Sequence, residues 1–177
     1  MKKQIGVLLL FALITASVVG YVILKPKPIH MTFHGIKYRL GAEQVELADP
    51  VAIRVDGRLK TSLLGQKQFA GTIRIDGVQL PVPEDQQMLD IQFKENGVGI
   101  MKYEYLENKG ERNERQHSFA FGSIDMNEDF SAFSIAVAEQ KGSTASWNYE
   151  DGIMISAPAS SRSEASQLTE RLRGTED

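Results

Sequence analysis

With no cysteine among its 177 residues, this chain offers three histidines and 23 acids as its first candidates for metal or acid–base chemistry. That absence removes thiolate nucleophiles, sulfur-ligated metals, disulfides and a lipid-bearing cysteine together. His30 and His34 stand four apart, which puts both on one face of a strand, where a pair of imidazoles could begin a metal site. With no third ligand near them, they read as two half-exposed strand histidines, and the lone His117 ahead of Phe119 and Phe121 reads as structural. Asp125, Asn127 and Asp129 offer oxygens at alternate positions, as a calcium loop begins. Such a loop needs glycine sixth and glutamate twelfth, and Phe130 and Ala136 occupy those places, so the segment reads as a polar turn between strands. No metal and no other cofactor is expected.

Glycosidase-like chemistry needs two carboxylates flanking a bond. The adjacent pairs Glu84-Asp85, Glu128-Asp129 and Glu150-Asp151 instead fall in turn-like segments, where both acids of a pair stay solvated. The chain contains no G-x-S-x-G elbow, no phosphate-binding loop, no dinucleotide fingerprint and no S-x-x-K set. Two segments could instead carry recognition. Glu107–Gln116 has no apolar side chain in ten residues and holds Lys109, Arg112 and Arg115 at the expected tip of a hairpin, where it reads first as a solvated connector and otherwise as a recognition loop. Trp147 and Tyr149, two apart, share one face of a late strand, as packing residues or as an aromatic platform for a sugar or peptide.

These groups have to be positioned by two dissimilar parts of the chain. A four-residue tail with Lys2 and Lys3 precedes twenty uncharged residues, Ile5 to Leu24, and Lys25-Pro26-Lys27-Pro28 follows as a linker over 25–28. Twenty residues at about 1.5 Å rise make a helix of roughly 30 Å, enough to cross a bilayer's hydrocarbon core. The best cleavage site, after Gly20 with Val18 three positions from the cut, matches a signal peptidase site poorly, so a retained signal-anchor is expected and a cleaved, secreted form is the alternative. Lysines flank the run on both sides, and the short basic tail is what favours an inside N-terminus with residues 29–177 outside the cytoplasmic membrane. Beyond Lys27 sixteen basic residues face 23 acids, about −7 in net charge, which excludes a broad nucleic-acid footprint.

From Ile29 to Ala157 the apolar residues alternate with polar ones, as in Val51/Ile53/Val55, Phe69/Gly71/Ile73/Ile75, Met101/Tyr103/Tyr105 and Phe133/Ile135/Val137. That period predicts antiparallel strands with one buried face. Asp56-Gly57, Asp76-Gly77, Asn96-Gly97 and Asp151-Gly152 are expected to be the turns of a hairpin meander, because both residues of such pairs accept positive φ. Ala52–Gly57 echoes in Thr72–Gly77, two similar strand-plus-turn segments. Ser161-x-x-Glu164 predicts a capped helix over 161–173 with Ala165, Leu168 and Leu172 as its apolar stripe.

The expected fold is therefore α+β or mostly β: an antiparallel sheet of hairpins, sandwich or barrel-like, with one C-terminal amphipathic helix and a single transmembrane helix before it. In outline this resembles single-pass envelope proteins of Gram-positive bacteria, a likeness of architecture only. The expected function is a non-catalytic binding or protein-interaction module of the bacterial envelope, partnered with the membrane through residues 5–24 and with a protein or other envelope component. The alternatives are an envelope hydrolase with dispersed catalytic residues and a small-ligand-binding β-barrel.

Overall fold

A computed structural model describes residues 25–41, 48–141, 144–148 and 150–174. The expected span at 5–24 and the residue Tyr149 lie outside that set. Among the described residues no helix is long and apolar enough to cross a membrane.

The alternation becomes strands β1 (Lys27–Arg39), β2 (Ala48–Thr61), β3 (Lys67–Ile75), β4 (Leu89–Phe93), β5 (Val98–Glu107), β6 (Arg115–Met126), β7 (Phe133–Val137), β8 (Glu139–Lys141), β9 (Thr144–Ser146) and β10 (Ile153–Ala157). One helix, α1 (Arg162–Arg173), follows. Strands β8 and β9 form a separate ribbon, and the other eight make one antiparallel sheet in the order β4-β3-β2-β1-β10-β7-β6-β5. Its two edge strands, β4 and β5, are joined by a tight turn in which the Lys94 N–H donates to Val98 and the Gly97 N–H to Lys94, both at 2.9 Å. Edges tied by so short a turn force the sheet to curl onto itself. The result is a nearly closed barrel whose strands follow chain order around the ring, with the first and last strands, β1 and β10, paired through Ile36–Arg39 and Ile153–Ser156.

The inward stripe fills this barrel with side chains. Ile53, Phe69, Ile91, Met101, Ile124, Phe133, Ile135 and Ile155 are all fully buried there. Full burial stabilises by about 1.5–3 kcal/mol for each such side chain. A register shift opposite Met101 and Lys102 lets Phe121 and Ile124, three apart on β6, both contribute to the interior.

Asp56-Gly57 is not a turn. It lies inside β2, with Gly57 paired to Ile29 on one side and Gly71 on the other. A ladder on both flanks carries the chain straight through, and glycine is needed for closeness rather than turning. A Cβ at Gly57 would sit 2.6 Å from the Ala70 carbonyl and 2.8 Å from the Phe69 ring. Asp76-Gly77 does turn, with Gly77 at φ +78°, and opens the long 76–88 connection rather than a two-residue hairpin.

Helix α1 packs on the outer face of the barrel. The Ser161 hydroxyl accepts from the Glu164 N–H at 3.2 Å, as a capping box requires. The Glu164 carboxylate reaches one residue further back than expected, to the Ser160 N–H at 2.8 Å and hydroxyl at 2.7 Å, and these bonds hold its pKa below the usual value. Ala165 and Leu168 are buried, and Ala165 packs with Ile36, Tyr38, Ala136 and Met154. Thr169 adds a polar element to the stripe: its hydroxyl lies 2.8–2.9 Å from those of Tyr38, Ser134 and Ser156, all buried. This network fixes how the helix sits, because a slip would strand several buried hydroxyls.

Candidate functional site

The two ends of the barrel are built differently, and one of them holds a recess. At the first end the chain enters at Lys27, the β2–β3 hairpin and the 94–97 turn lie nearby, and the 127–132 loop folds inward. Phe130 of that loop, at φ +63°, is 1% exposed and stacks on Phe69 at 5.2 Å and against Phe133 at 5.5 Å. An aromatic residue in the left-handed region is costly, and its backbone is held there by a hydrogen-bonded turn. Asn127 accepts from the Ala132 N–H at 3.0 Å and donates to the Ser131 hydroxyl at 2.8 Å. Asp129 accepts from Ser131 through both its hydroxyl, 2.7 Å, and its N–H, 3.1 Å. The Ser131 hydroxyl, more than its N–H, pulls the Asp129 pKa down. The segment that begins like a calcium loop therefore spends its oxygens on holding a plug.

At the second end the 76–88 connection arches over the barrel mouth and leaves a recess of about 530 Å³. Ile73 and Ile75 from β3, Tyr103 from β5 and Phe121 from β6 form its barrel side; Val78, Leu80 and Val82 from the connection form its roof, with Arg74, Glu84 and Gln87 as polar groups. The roof is fastened across the β4–β5 seam. The Leu106 N–H donates to Gln86 Oε1 at 2.7 Å and Gln86 Nε2 donates back to the Leu106 carbonyl at 3.1 Å, so one side chain mimics a strand residue where the ladder is missing.

Tyr103 is the chemical centre of the recess. Its ring is 1% exposed and stacks on Phe119 at 6.4 Å, and among the described residues its hydroxyl has no hydrogen-bond partner. Burial pushes its pKa up to about 12, so it is a neutral donor at physiological pH. Among the described residues the buried side-chain polar atom without a partner is Arg162 Nε, so the Tyr103 hydroxyl opens into the space of the recess, where a ligand that brings an acceptor could meet it.

The sequence-predicted candidates divide between two places. Lys109, Arg112 and Arg115 are exposed on the β5–β6 hairpin, at the same end as the recess, and Lys109 Nζ lies 3.5 Å from Asp85 on the roof. Trp147 is elsewhere, half-buried beneath the end of α1. Its Nε1–H donates to the Ile153 carbonyl at 3.3 Å, and the Arg173 guanidinium lies 4.8 Å over its ring while also meeting the buried Asp125 at 3.2 Å. That face of Trp147 is occupied by the chain's own arginine, so Trp147 serves packing in this fold. The sequence reading passed over Tyr103, whose signal was a hydroxyl on an otherwise apolar inward stripe.

The histidines do not converge. His30 Nδ1 lies 3.1 Å from Asp56 at the surface, and four residues of extended β1 separate it from His34 by about 13 Å. His117 Nε2 lies 3.0 Å from Glu107, both partly exposed. Among the described residues no group of three histidines or acids is placed to hold a metal.

Fold and recess together define an architecture, a nearly closed eight-stranded up-and-down antiparallel sheet plugged at one end and recessed at the other. No family profile, no curated protein and no solved structure matches the chain, so the function is argued from this geometry.

Proposed function

We propose that the protein is a non-catalytic binding module, tethered at the outer face of the cytoplasmic membrane by residues 5–24, whose barrel takes a small ligand in the recess remote from the tether. The ligand class is amphipathic, an apolar body carrying polar groups that include a hydrogen-bond acceptor. What carries this reading is the unpartnered Tyr103 hydroxyl in a recess of about 530 Å³, a size within the range of small-molecule sites. The Ile73, Ile75 and Phe121 side of the recess gives such a molecule apolar contact, Arg74, Glu84 and Gln87 meet its polar groups, and Tyr103 gives it orientation. Lys109, Arg112 and Arg115 stand at the same end, exposed and directed away from the tether, where an envelope partner could meet the loaded barrel. An envelope hydrolase is supported less well, because Glu84 is the one acid lining the recess and His117 is engaged with Glu107 on the hairpin.

The test uses an amphipathic dye whose fluorescence rises in apolar sites. The full chain should bind it saturably, and Val78→Trp, which fills the recess from a half-buried loop position, should weaken binding at least tenfold with the fold retained by circular dichroism. No saturable binding, or binding indifferent to Val78→Trp, would remove the ligand reading. A C-terminal topology reporter tests the location, and a cytoplasmic signal would overturn it.

A further inference from the structure

The largest exposed apolar side chains among the described residues are adjacent: Leu63 is 77% and Leu64 85% exposed. They sit at the tip of the β2–β3 hairpin, in a turn set by the Ser62 N–H to Gln66 carbonyl bond, 2.8 Å, the Gly65 N–H to Ser62 carbonyl bond, 3.0 Å, and Gly65 at φ +81°. The turn is thus an ordered presentation of two leucines to the outside. Its place in the barrel gives the occupant. Lys27, the first residue of β1, pairs with Leu59, so the chain arrives at this end, and β2 and β3 run on past that rung through Thr61 and Lys67. Two further strand residues add about 7 Å before the turn begins.

Charge is sorted the same way. Lys25, Lys27, Lys60, Lys67 and Lys94 gather at this end of the barrel against three acids, Glu95 on the neighbouring turn and Glu128 and Asp129 on the 127–132 loop, although the chain beyond Lys27 is acidic as a whole. A basic rim around an apolar tip complements an anionic lipid surface, where each nearby lysine is attracted and the leucines pass the headgroups. The hydrophobic run Ile5–Leu24 ends immediately before Lys25.

We infer that the Leu63-Leu64 tip is a second membrane contact, inserted into the headgroup–acyl boundary of the same phospholipid leaflet that residues 5–24 enter. This rests on the tether proposed above. Two contacts on one face fix the barrel's tilt and hold its recess away from the bilayer, whereas a single tether leaves it free to swing.

The absence of cysteine makes the experiment clean. Full-length protein carrying one environment-sensitive label, at Leu64→Cys, Val18→Cys or Asn113→Cys, is reconstituted in vesicles of mixed anionic and zwitterionic phospholipid, with quenchers on the acyl chains. Labels at 64 and 18 should be quenched several-fold more than the label at 113, on the distant β5–β6 hairpin. Lys60→Glu with Lys67→Glu should return the label at 64 to a water-like spectrum. Quenching at 18 without quenching at 64 overturns the second contact and leaves the tether standing. Quenching at neither position removes both. If the label at 64 is shielded from water only at high protein density and stays unquenched by lipid, the tip meets another copy of the chain and the lipid contact is overturned.

Discussion

The two ends of one barrel solve the same problem in opposite ways. Each end of a small barrel exposes apolar side chains that some connection has to cover. At the entry end the six-residue 127–132 loop drives a single large ring into the interior, and Phe130 is 1% exposed against Phe69, Phe93 and Phe133. At the other end the longer 76–88 connection covers the mouth from above with smaller side chains and leaves about 530 Å³ beneath it. Filling an end completely gives stability and nothing to bind. Covering it with a gap sacrifices packing and creates a place for a ligand. In this protein close packing is thereby concentrated at the end where the chain enters, and the open recess lies at the far end.

The largest test of that division is Phe130→Ala. Removing a fully buried aromatic ring costs about 3–5 kcal/mol, and the positive φ changes that little because alanine is strained there as well. The urea midpoint should fall accordingly. Dye binding at the remote recess should survive in the fraction that stays folded. If binding collapses in step with packing under strongly native conditions, the two ends are not separable units.

Much of this contrast was hidden in the sequence, and the echo shows why. Ala52–Gly57 and Thr72–Gly77 read alike, and they lie against each other, Ile53 opposite Ile75 and Val55 opposite Ile73. One continues as strand at its Asp-Gly pair and the other turns. The difference is in the neighbours. The Asp76 N–H donates to the Ala52 carbonyl at 2.9 Å, so the next bonded pair along that ladder would be Val78 with Pro50, and proline has no N–H to give. The second copy runs out of donors and becomes the roof of the recess, whereas Asp56-Gly57 has partners on both sides. Alternation and capping are local and were legible: the sheet, the helix and its Ser161 cap follow from them. Closure into a barrel was not, because it depends on β1 meeting β10 across more than a hundred residues. Phe130 looked like the defect that disqualified a calcium loop, and only the surrounding rings show it as a plug.

Tyr103 offers the second test, through pH. Its pKa in the folded protein is about 12, above the ordinary 10 of an unfolded tyrosine. Between those values the unfolded chain has given up a proton that the folded one still holds, so stability is intact below about pH 10 and declines as pH rises toward 12. Two units correspond to roughly 2–3 kcal/mol at the alkaline limit. Tyr103→Phe should abolish that part of the alkaline decline. At neutral pH the variant should be within about 1 kcal/mol of the parent, because the hydroxyl removed had no protein partner. Ligand affinity should nonetheless drop about tenfold. A large loss of neutral-pH stability would mean that the hydroxyl belongs to the core and the recessed end is packed after all.

Gln86 sharpens the comparison at the roof. Its side chain makes both bonds to Leu106 that hold the connection against the seam. Gln86→Ala should cost about 1–2 kcal/mol by leaving the Leu106 N–H and carbonyl unpaired. Hydrogen exchange should then accelerate over 76–88 while residues 127–132 stay protected. Equal acceleration at both ends would show that the seam, and not the roof, is what the glutamine holds.

The smallest effect belongs to Asp129 in the plugging loop. Its carboxylate is exposed, yet the Ser131 hydroxyl and N–H lower its pKa, so its contribution is present above the ordinary carboxylate range and is lost as pH falls below it. Asp129→Asn keeps the shape of the side chain and removes the charge that strengthens both bonds, an exchange worth well under about 1 kcal/mol at an exposed turn. The stability of the parent should therefore approach that of the variant in acid, with the two curves separating toward neutrality. Phe130 should stay seated throughout, visible as unchanged near-ultraviolet ellipticity, because the ring is held by Phe69 and Phe133 and only its backbone leans on the loop. Should the aromatic signal melt with Asp129 protonation, the plug would be a pH-sensitive closure, and the entry end would be the adjustable one of the two.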